Sequence, residues 1–118
     1  MLPNIYCQRY QELKQALEQM HQSLVGGLLN PQRLRQNFLE AQQIFQQQIV
    51  SLDASDLEPA DEPRVRSYQT EMSKQLRLLA IDVMFLQAAR QSETAQQRQI
   101  QLGDRIQTLI GYCDALLE

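Results

Sequence analysis

The chain contains a single histidine, His21, whose imidazole could bind a metal ion or accept a phosphoryl group. Glu18 precedes it by three residues, which is the spacing that di-iron helical bundles use to place two ligands on one helix face. Such a centre needs a second Glu-x-x-His pair, and a chain with one histidine cannot supply it. We therefore interpret the spacing as a chance match, and the sequence predicts no metal site and no cofactor.

His21 is also the one candidate for accepting a phosphoryl group, as histidine-phosphotransfer domains do. Those domains are small helical bundles in which a lysine accompanies the exposed histidine and small residues follow it. Ser23, Gly26 and Gly27 supply the small residues here, but the lysine is missing. A histidine-phosphotransfer-like signalling bundle is therefore an alternative. The favoured interpretation is that His21 is simply a residue near the end of a helix.

The two cysteines, Cys7 and Cys113, are too few for a disulfide framework and have no CxxC spacing. They fall near the first and last helical segments, whose ends would meet in an antiparallel bundle. Both lie in or beside apolar stripes, which favours small buried side chains over a regulatory disulfide. No nucleophile with a partner base and no phosphate-binding glycine loop is recognisable, so an enzyme is not expected.

Composition restricts the kind of partner. The chain of 118 residues has a net charge of −3, which argues against general affinity for nucleic acid. No apolar run reaches the ~18 residues that a membrane span needs, and the N-terminus lacks the features of a signal peptide. We expect one cytoplasmic domain, residues 1–118, with no nucleic-acid or membrane partner.

Apolar residues recur at alternating steps of three and four over most of the chain, which predicts amphipathic helices. The expected helices cover about residues 4–25, 31–52, 63–91 and 95–117. Asn30 and Pro31 are typical of a helix start, and Gly26-Gly27 are expected to end the first helix. Thr94 and Gln97 match a capping box for the fourth. The stripe of the second helix is expected to run through Leu34, Phe38, Ala41, Phe45, Gln48 and Leu52, and to be widened by Leu39, Ile44 and Ile49. The stripe of the fourth helix is expected to consist of Ile100, Leu102, Ile106, Leu109, Cys113 and Leu116.

These segments predict an all-α fold, an antiparallel four-helix bundle of up-down-up-down topology. The alternative is two long hairpins packed more openly around the third helix. An acidic loop, residues 53–62, separates the second and third helices. Its carboxylates form a secondary candidate surface, for which a solvated linker is the simpler interpretation: Asp53, Asp56, Glu58, Asp61 and Glu62.

The most apolar stretch of the chain, residues 76–89, carries apolar stripes on two faces of the third helix. The first stripe consists of Leu76, Leu79, Val83 and Leu86, continued backwards by Met72, Tyr68 and Val65. Such a helix is either central, packed on most sides, or turns its outer face to another chain. Asp82 lies between the stripes and is expected to be solvated, or paired with Arg77 or Arg105. The second stripe is the candidate partner-binding surface. It consists of Leu78, Ile81, Met84, Phe85 and Ala88.

Several stretches resemble the PatD family, the heterocyst frequency control proteins of cyanobacteria. The longest are PRVRSYQTEMSKQLRLL at residues 63–79 and DVMFLQAAR at 82–90. Shorter ones are LRQNFL at 34–39, FQQQI at 45–49 and LIGYCDALL at 109–117. The resemblance implies a non-enzymatic cytoplasmic regulator, linked to heterocyst frequency and to the division protein FtsZ as a partner.

The sequence therefore predicts a regulatory or adaptor protein that acts by protein–protein binding. Docking of the third helix would bias the assembly or the activity of the partner. In the family that the sequence resembles, the process implied is the assembly of FtsZ. The remaining alternative is a purely structural homodimer in which the second stripe is self-complementary.

Overall fold

The computed structural model describes residues 2–25 and 29–118, and over these residues the chain forms four α-helices and no strand. The helices are α1 (Asn4–Val25), α2 (Pro31–Gln43), α3 (Glu62–Ala88) and α4 (Ser92–Leu117). A π-helical segment, Ile44–Ile49, continues α2, and a 3₁₀ turn, Ala54–Asp56, lies in the loop before α3. The predicted all-α class is confirmed.

The helices form an antiparallel bundle measuring 50 × 22 × 19 Å. α1 packs against α2 and α4, and α3 packs mainly against α4 and at fewer positions against α2. Hydrogen bonds join opposite ends of neighbouring helices. The Gln99 amide donates to the Leu24 carbonyl at 2.6 Å, and Gln87 donates to the Pro31 carbonyl at 3.1 Å. The up-down-up-down order follows from these contacts.

α3 is packed on one side only, which excludes one of the two interpretations of its stripes, that of a central helix. The heptad-like spacing of α1 buries side chains along its whole length, whereas α3 buries only one of its two apolar stripes. The buried side chains of α1 are Tyr6, Tyr10, Leu13, Ala16, Leu17, Met20 and Leu24.

The second helix is shorter than predicted, because its α-helical part ends at Gln43. In the π-helical segment the Val50 N–H donates to the Phe45 carbonyl, five residues back, at 2.9 Å. The extra residue in this turn places Ile49 fully in the core, where the α-helical spacing predicts Gln48. Gln48 instead lies half-buried beside α1 and accepts a hydrogen bond from Arg9 at 3.3 Å.

The structure confirms one predicted helix cap and places two other helix boundaries at different residues. Asn30 caps α2 as expected, because its side-chain oxygen accepts the N–H groups of Gln32 and Arg33 at 3.0 and 3.2 Å. The capping box at Thr94 was wrong: α4 begins at Ser92, which places Thr94 inside the helix. α3 ends at Ala88, before the predicted residue 91. The predicted stop at Gly26-Gly27 falls outside the described residues.

Asp82 is buried in the contact between α3 and α4. Its exposed fraction is 4%, and Arg105 Nε donates to its carboxylate at 2.5 Å. The same guanidinium donates through a second nitrogen to the Gln75 amide oxygen at 2.8 Å. Of the environments expected for Asp82, the pairing with Arg105 is confirmed.

Removal of Arg105 alone should leave the buried carboxylate of Asp82 without its ion-pair partner. We expect Arg105→Leu to lower the free energy of unfolding by about 3 kcal/mol. The double variant Asp82→Leu with Arg105→Leu should lose less than the sum of the two single variants, because neither charge is then left unpaired. Urea denaturation of the four species measures this coupling. Arg77→Leu, at an exposed site of α3, serves as the control, and strictly additive losses would contradict the pairing.

Candidate protein interaction surface

The second apolar stripe of α3 lies on the surface of the bundle. Ile81, Met84 and Phe85 have exposed fractions of 41%, 59% and 46%. Ala88 is exposed beside them, and Leu78 is half-buried at the edge. We call these five residues the α3 patch. Their exposure excludes the interpretation of the second stripe as core.

The opposite face of α3 supplies its packing surface. This face carries the first predicted stripe, which contacts α4 and α2 and leaves the α3 patch pointing away from the bundle. Along the described chain, three large apolar side chains on one helix face are thus left without a covering element. The buried residues of α3 are Val65, Met72, Leu76, Leu79, Asp82, Val83 and Leu86.

Arg98 of α4 flanks the α3 patch. Its guanidinium carbon lies 4.7 Å from the centre of the Phe85 ring, a cation–π contact that holds the ring against α4. Sequence reasoning missed Arg98 because it considered one helix at a time. Phe85 lies three residues before the end of α3 and Arg98 six residues after the start of α4. Since both lie within two turns of the connection in an antiparallel pair, their nearness to this connection is the signal that could have joined them.

Two cations continue the exposed face of α3 towards its N-terminus. Arg77 lies four residues and Lys74 seven residues before Ile81, so all three share one side of the helix. Both cations are exposed, and neither forms an ion pair with a described residue. They line a shallow groove of about 820 Å³ together with Glu71 and residues near the start of α3. The helical spacing alone could have identified them.

The acidic loop is fastened to the bundle at its beginning. The Tyr6 hydroxyl donates to the Asp53 carbonyl at 3.0 Å, and the Asp53 carboxylate accepts the Ser55 N–H at 2.9 Å. Hydrogen bonds from the backbone and the side chain of Ser55 to the Asp53 carboxylate lower the pKa of Asp53. Leu57 is buried against the core. The loop is therefore a fixed connection and not a free acidic tail.

The other carboxylates of the loop do not converge with the α3 patch. Asp56 and Glu58 are exposed and Asp61 is half-buried, while Glu62 pairs with Arg66 on the first turns of α3. At ~1.5 Å per residue, the α3 patch begins roughly 25 Å further along the helix. The primary and secondary candidate surfaces are thus separate, and the role of the loop stays a prediction.

His21 is half-buried beside α4, with its Nε2 3.1 Å from the side-chain nitrogen of Gln107. The grooves next to it are lined by amides and apolar groups, and the charged residues in their described linings are Glu18 and Asp104. Two carboxylates would repel an incoming phosphoryl group. This environment gives the phosphotransfer alternative no support.

Both cysteines are free thiols in different environments. Cys113 is buried in the core, and burial raises the pKa of its thiol to about 12. Cys7 is half-buried, and its sulfur lies 3.6 Å from the Leu2 carbonyl oxygen. The described residues contain no group of three or more His, Cys, Asp or Glu side chains placed to hold a metal ion. Within the same residues, the helices are too short or too polar to cross a membrane.

Comparisons with protein-family models, with curated proteins and with solved structures gave no match. The surface described above is therefore argued from this chain alone.

The two thiols should react very differently with a thiol reagent. At about pH 8 we expect Ellman's reagent to modify only Cys7 in the native protein, because a buried thiol with a raised pKa offers neither access nor thiolate. Cys113 should react only after unfolding in guanidinium. The native Cys7→Ser variant should therefore release almost no chromophore. Rapid modification of Cys113 in that variant would contradict its place in the core.

Proposed function

We propose that this chain is a non-enzymatic regulatory protein that binds a protein partner through the α3 patch. The observation that carries the proposal is the clustering of Ile81, Met84 and Phe85 on one exposed helix face. Exposed apolar side chains that occur singly are normal, whereas a contiguous group is typical of an interaction site. Methionine and phenylalanine are also enriched in the centres of interfaces.

The size of the α3 patch suits reversible binding of a short segment. Large apolar side chains present on the order of 200 Å² each when free, so these three expose on the order of 300 Å² at the fractions given above. Burial at ~25 cal/mol per Å² gains several kcal/mol. The loss of translational and rotational freedom on association offsets much of this gain, which leaves a contact that a cell can make and break.

The same estimate argues against the homodimer alternative. A standard stable interface buries about 800 Å² on each partner, well above what the α3 patch offers. A second copy of the chain would need a further contact surface, and no other described helix face presents three large exposed apolar side chains side by side.

The resemblance to the PatD family suggests a finer form of the proposal. The longest resembling stretches, residues 63–79 and 82–90, cover most of α3 and every residue of the α3 patch except Ile81. On this basis the partner would be FtsZ in the cytoplasm. Binding would modulate its assembly, and through cell division the frequency of heterocysts.

The test replaces the apolar surface without changing charge. We expect Ile81→Gln with Phe85→Gln to change the free energy of unfolding by no more than about 1 kcal/mol, because both sites are exposed and Gln is a good helix former. Binding to purified FtsZ, measured by sedimentation velocity, should weaken at least about tenfold. Leu39→Gln with Val50→Gln is the matched control, since these residues are 49% and 50% exposed elsewhere on the bundle.

Two results would count against the proposal. Equal binding of FtsZ by the wild type and by the Ile81→Gln, Phe85→Gln variant would exclude the α3 patch as the surface. Failure of the wild type to bind FtsZ at all would exclude this partner.

A further inference from the structure

The exposed face of α3 is divided along its length into a cationic and an apolar part. Lys74 and Arg77 occupy the part nearer the N-terminus, and the α3 patch occupies the part nearer the C-terminus. Together they extend over roughly 20 Å at ~1.5 Å per residue. Because the two ends of the face differ in charge, the face distinguishes between the two orientations in which a ligand could lie along α3. An apolar patch alone would not.

Cations outnumber carboxylates on this face. Between residues 71 and 88 the carboxylates are those of Glu71, beside Lys74, and of Asp82, which is buried and already paired with Arg105. Arg98 adds a third cation over the Phe85 ring. The face is thus positive although the whole chain has a net charge of −3.

The charges nearer the start of α3 do not reverse this pattern. Arg66 and Glu62 neutralise each other in an ion pair. Glu71 lines the edge of the groove beside Lys74, and one of its carboxylate oxygens is shielded from solvent without a hydrogen-bond partner. Lys74 and Arg77 are not within ion-pair distance of any described carboxylate, so both remain free to meet an acidic ligand.

We infer that the α3 face binds an acidic amphipathic segment of a protein partner. This inference rests on the proposed function and specifies the chemistry of the partner. Apolar side chains of the segment cover the α3 patch, and its carboxylates meet Lys74 and Arg77. The arginine can hold a carboxylate by two parallel hydrogen bonds. The apolar contact supplies affinity, and the charges set the direction of the segment and raise the association rate.

A second copy of the chain is a poor occupant of this face. Two α3 helices in parallel register would place Lys74 and Arg77 against the same cations. In antiparallel register over the whole face they would place these cations against apolar side chains. Neither arrangement is complementary, and stacking of the α3 patches alone buries too little surface for a stable dimer.

An anionic membrane is also a poor fit. Peripheral helices that lie on a bilayer have an apolar stripe along their whole length, with cations along its borders. On α3 the apolar residues fill only about three turns at one end.

Selection from a random peptide library tests the inference without assuming a partner. Phage-displayed peptides about 16 residues long, enough to span the face as a helix, are selected on the immobilised wild-type chain. The enriched peptides are synthesised with a fluorescent label, and their binding is measured by anisotropy. The inference predicts sequences that combine an apolar run with adjacent Asp or Glu residues, and binding that weakens with added salt.

Three variants of the chain locate the contacts. Lys74→Glu with Arg77→Glu and, separately, Ile81→Gln with Phe85→Gln should each weaken peptide binding at least about tenfold. Arg33→Glu with Arg35→Glu is the matched control, since it makes the same charge change at exposed sites on α2. This control should bind like the wild type. Thermal melts by circular dichroism confirm that all variants are folded.

The outcomes separate the inference from the proposed function. Peptides that need Ile81 and Phe85 but bind equally well after charge reversal at Lys74 and Arg77 overturn the inference and leave the proposed function intact. Absence of any peptide that depends on Ile81 and Phe85 contradicts both. Flotation with phosphatidylcholine vesicles containing about 30% phosphatidylserine is run in parallel, and vesicle binding that depends on the same four residues would overturn the inference in favour of a membrane.

Discussion

The rotation of α3 about its own axis is the constraint on which the rest of this structure depends, and the ion pair between Asp82 and Arg105 reinforces it. The first apolar stripe runs along the helix from Val65 to Leu86, whereas the second is confined to residues 78–88 and shares its side with Lys74 and Arg77. Hydrophobic burial therefore favours the first stripe as the packed face. Asp82 lies between the stripes and faces Arg105 on α4. Because an unpaired buried carboxylate costs several kcal/mol, the pair adds to the preference for the orientation in which the α3 patch faces outwards.

This orientation gives α3 two roles that do not interfere with each other. One face completes the core with Met72, Leu79 and Val83, while the opposite face stays free for a ligand. The helix is continuous from Glu62 to Ala88 and lies on a packed bundle, so little ordering cost is expected when a partner docks. The cations at one end attract an acidic segment from a distance, and the contact of Arg98 with Phe85 holds part of the apolar surface in place. The result is a small preformed site of the kind that suits regulation by reversible binding.

The existence and order of the helices were predictable from the sequence because local signals agreed. The stripe from Tyr6 to Leu24 has only one way to be buried, and the side-chain cap at Asn30 is a contact between near neighbours in the chain. The π-helical turn was not predictable, because the sequence placed both Gln48 and Ile49 on the stripe of the second helix and only the packing against α1 shows which of them is fully buried. The predicted cap at Thr94 failed for a different reason: a motif match carries no information on where the preceding helix ends.

The candidate surface was predictable only in part. The sequence identified the residues of the second stripe but left open whether they are core or surface, since both stripes of α3 satisfy the same periodicity. The decision depends on contacts between residues on different helices, among them the pairing of Asp82 with Arg105. Ile100 illustrates the same limit in the opposite direction: it was expected on the buried stripe of the fourth helix but is 66% exposed. Helical periodicity identifies apolar faces, but only the packing partners decide which of them is covered.

Oxidation of the methionines tests the central claim, that the α3 patch is uncovered in the isolated chain. Met84 is 59% exposed, whereas Met20 and Met72 are fully buried, so the three residues report surface and core in one experiment. After brief treatment with dilute hydrogen peroxide, followed by peptide mass spectrometry, Met84 should be converted to the sulfoxide many times faster than the other two. Equal protection of Met84 and Met72 at low protein concentration would contradict the account, because it would mean that this face of α3 is buried in the chain itself.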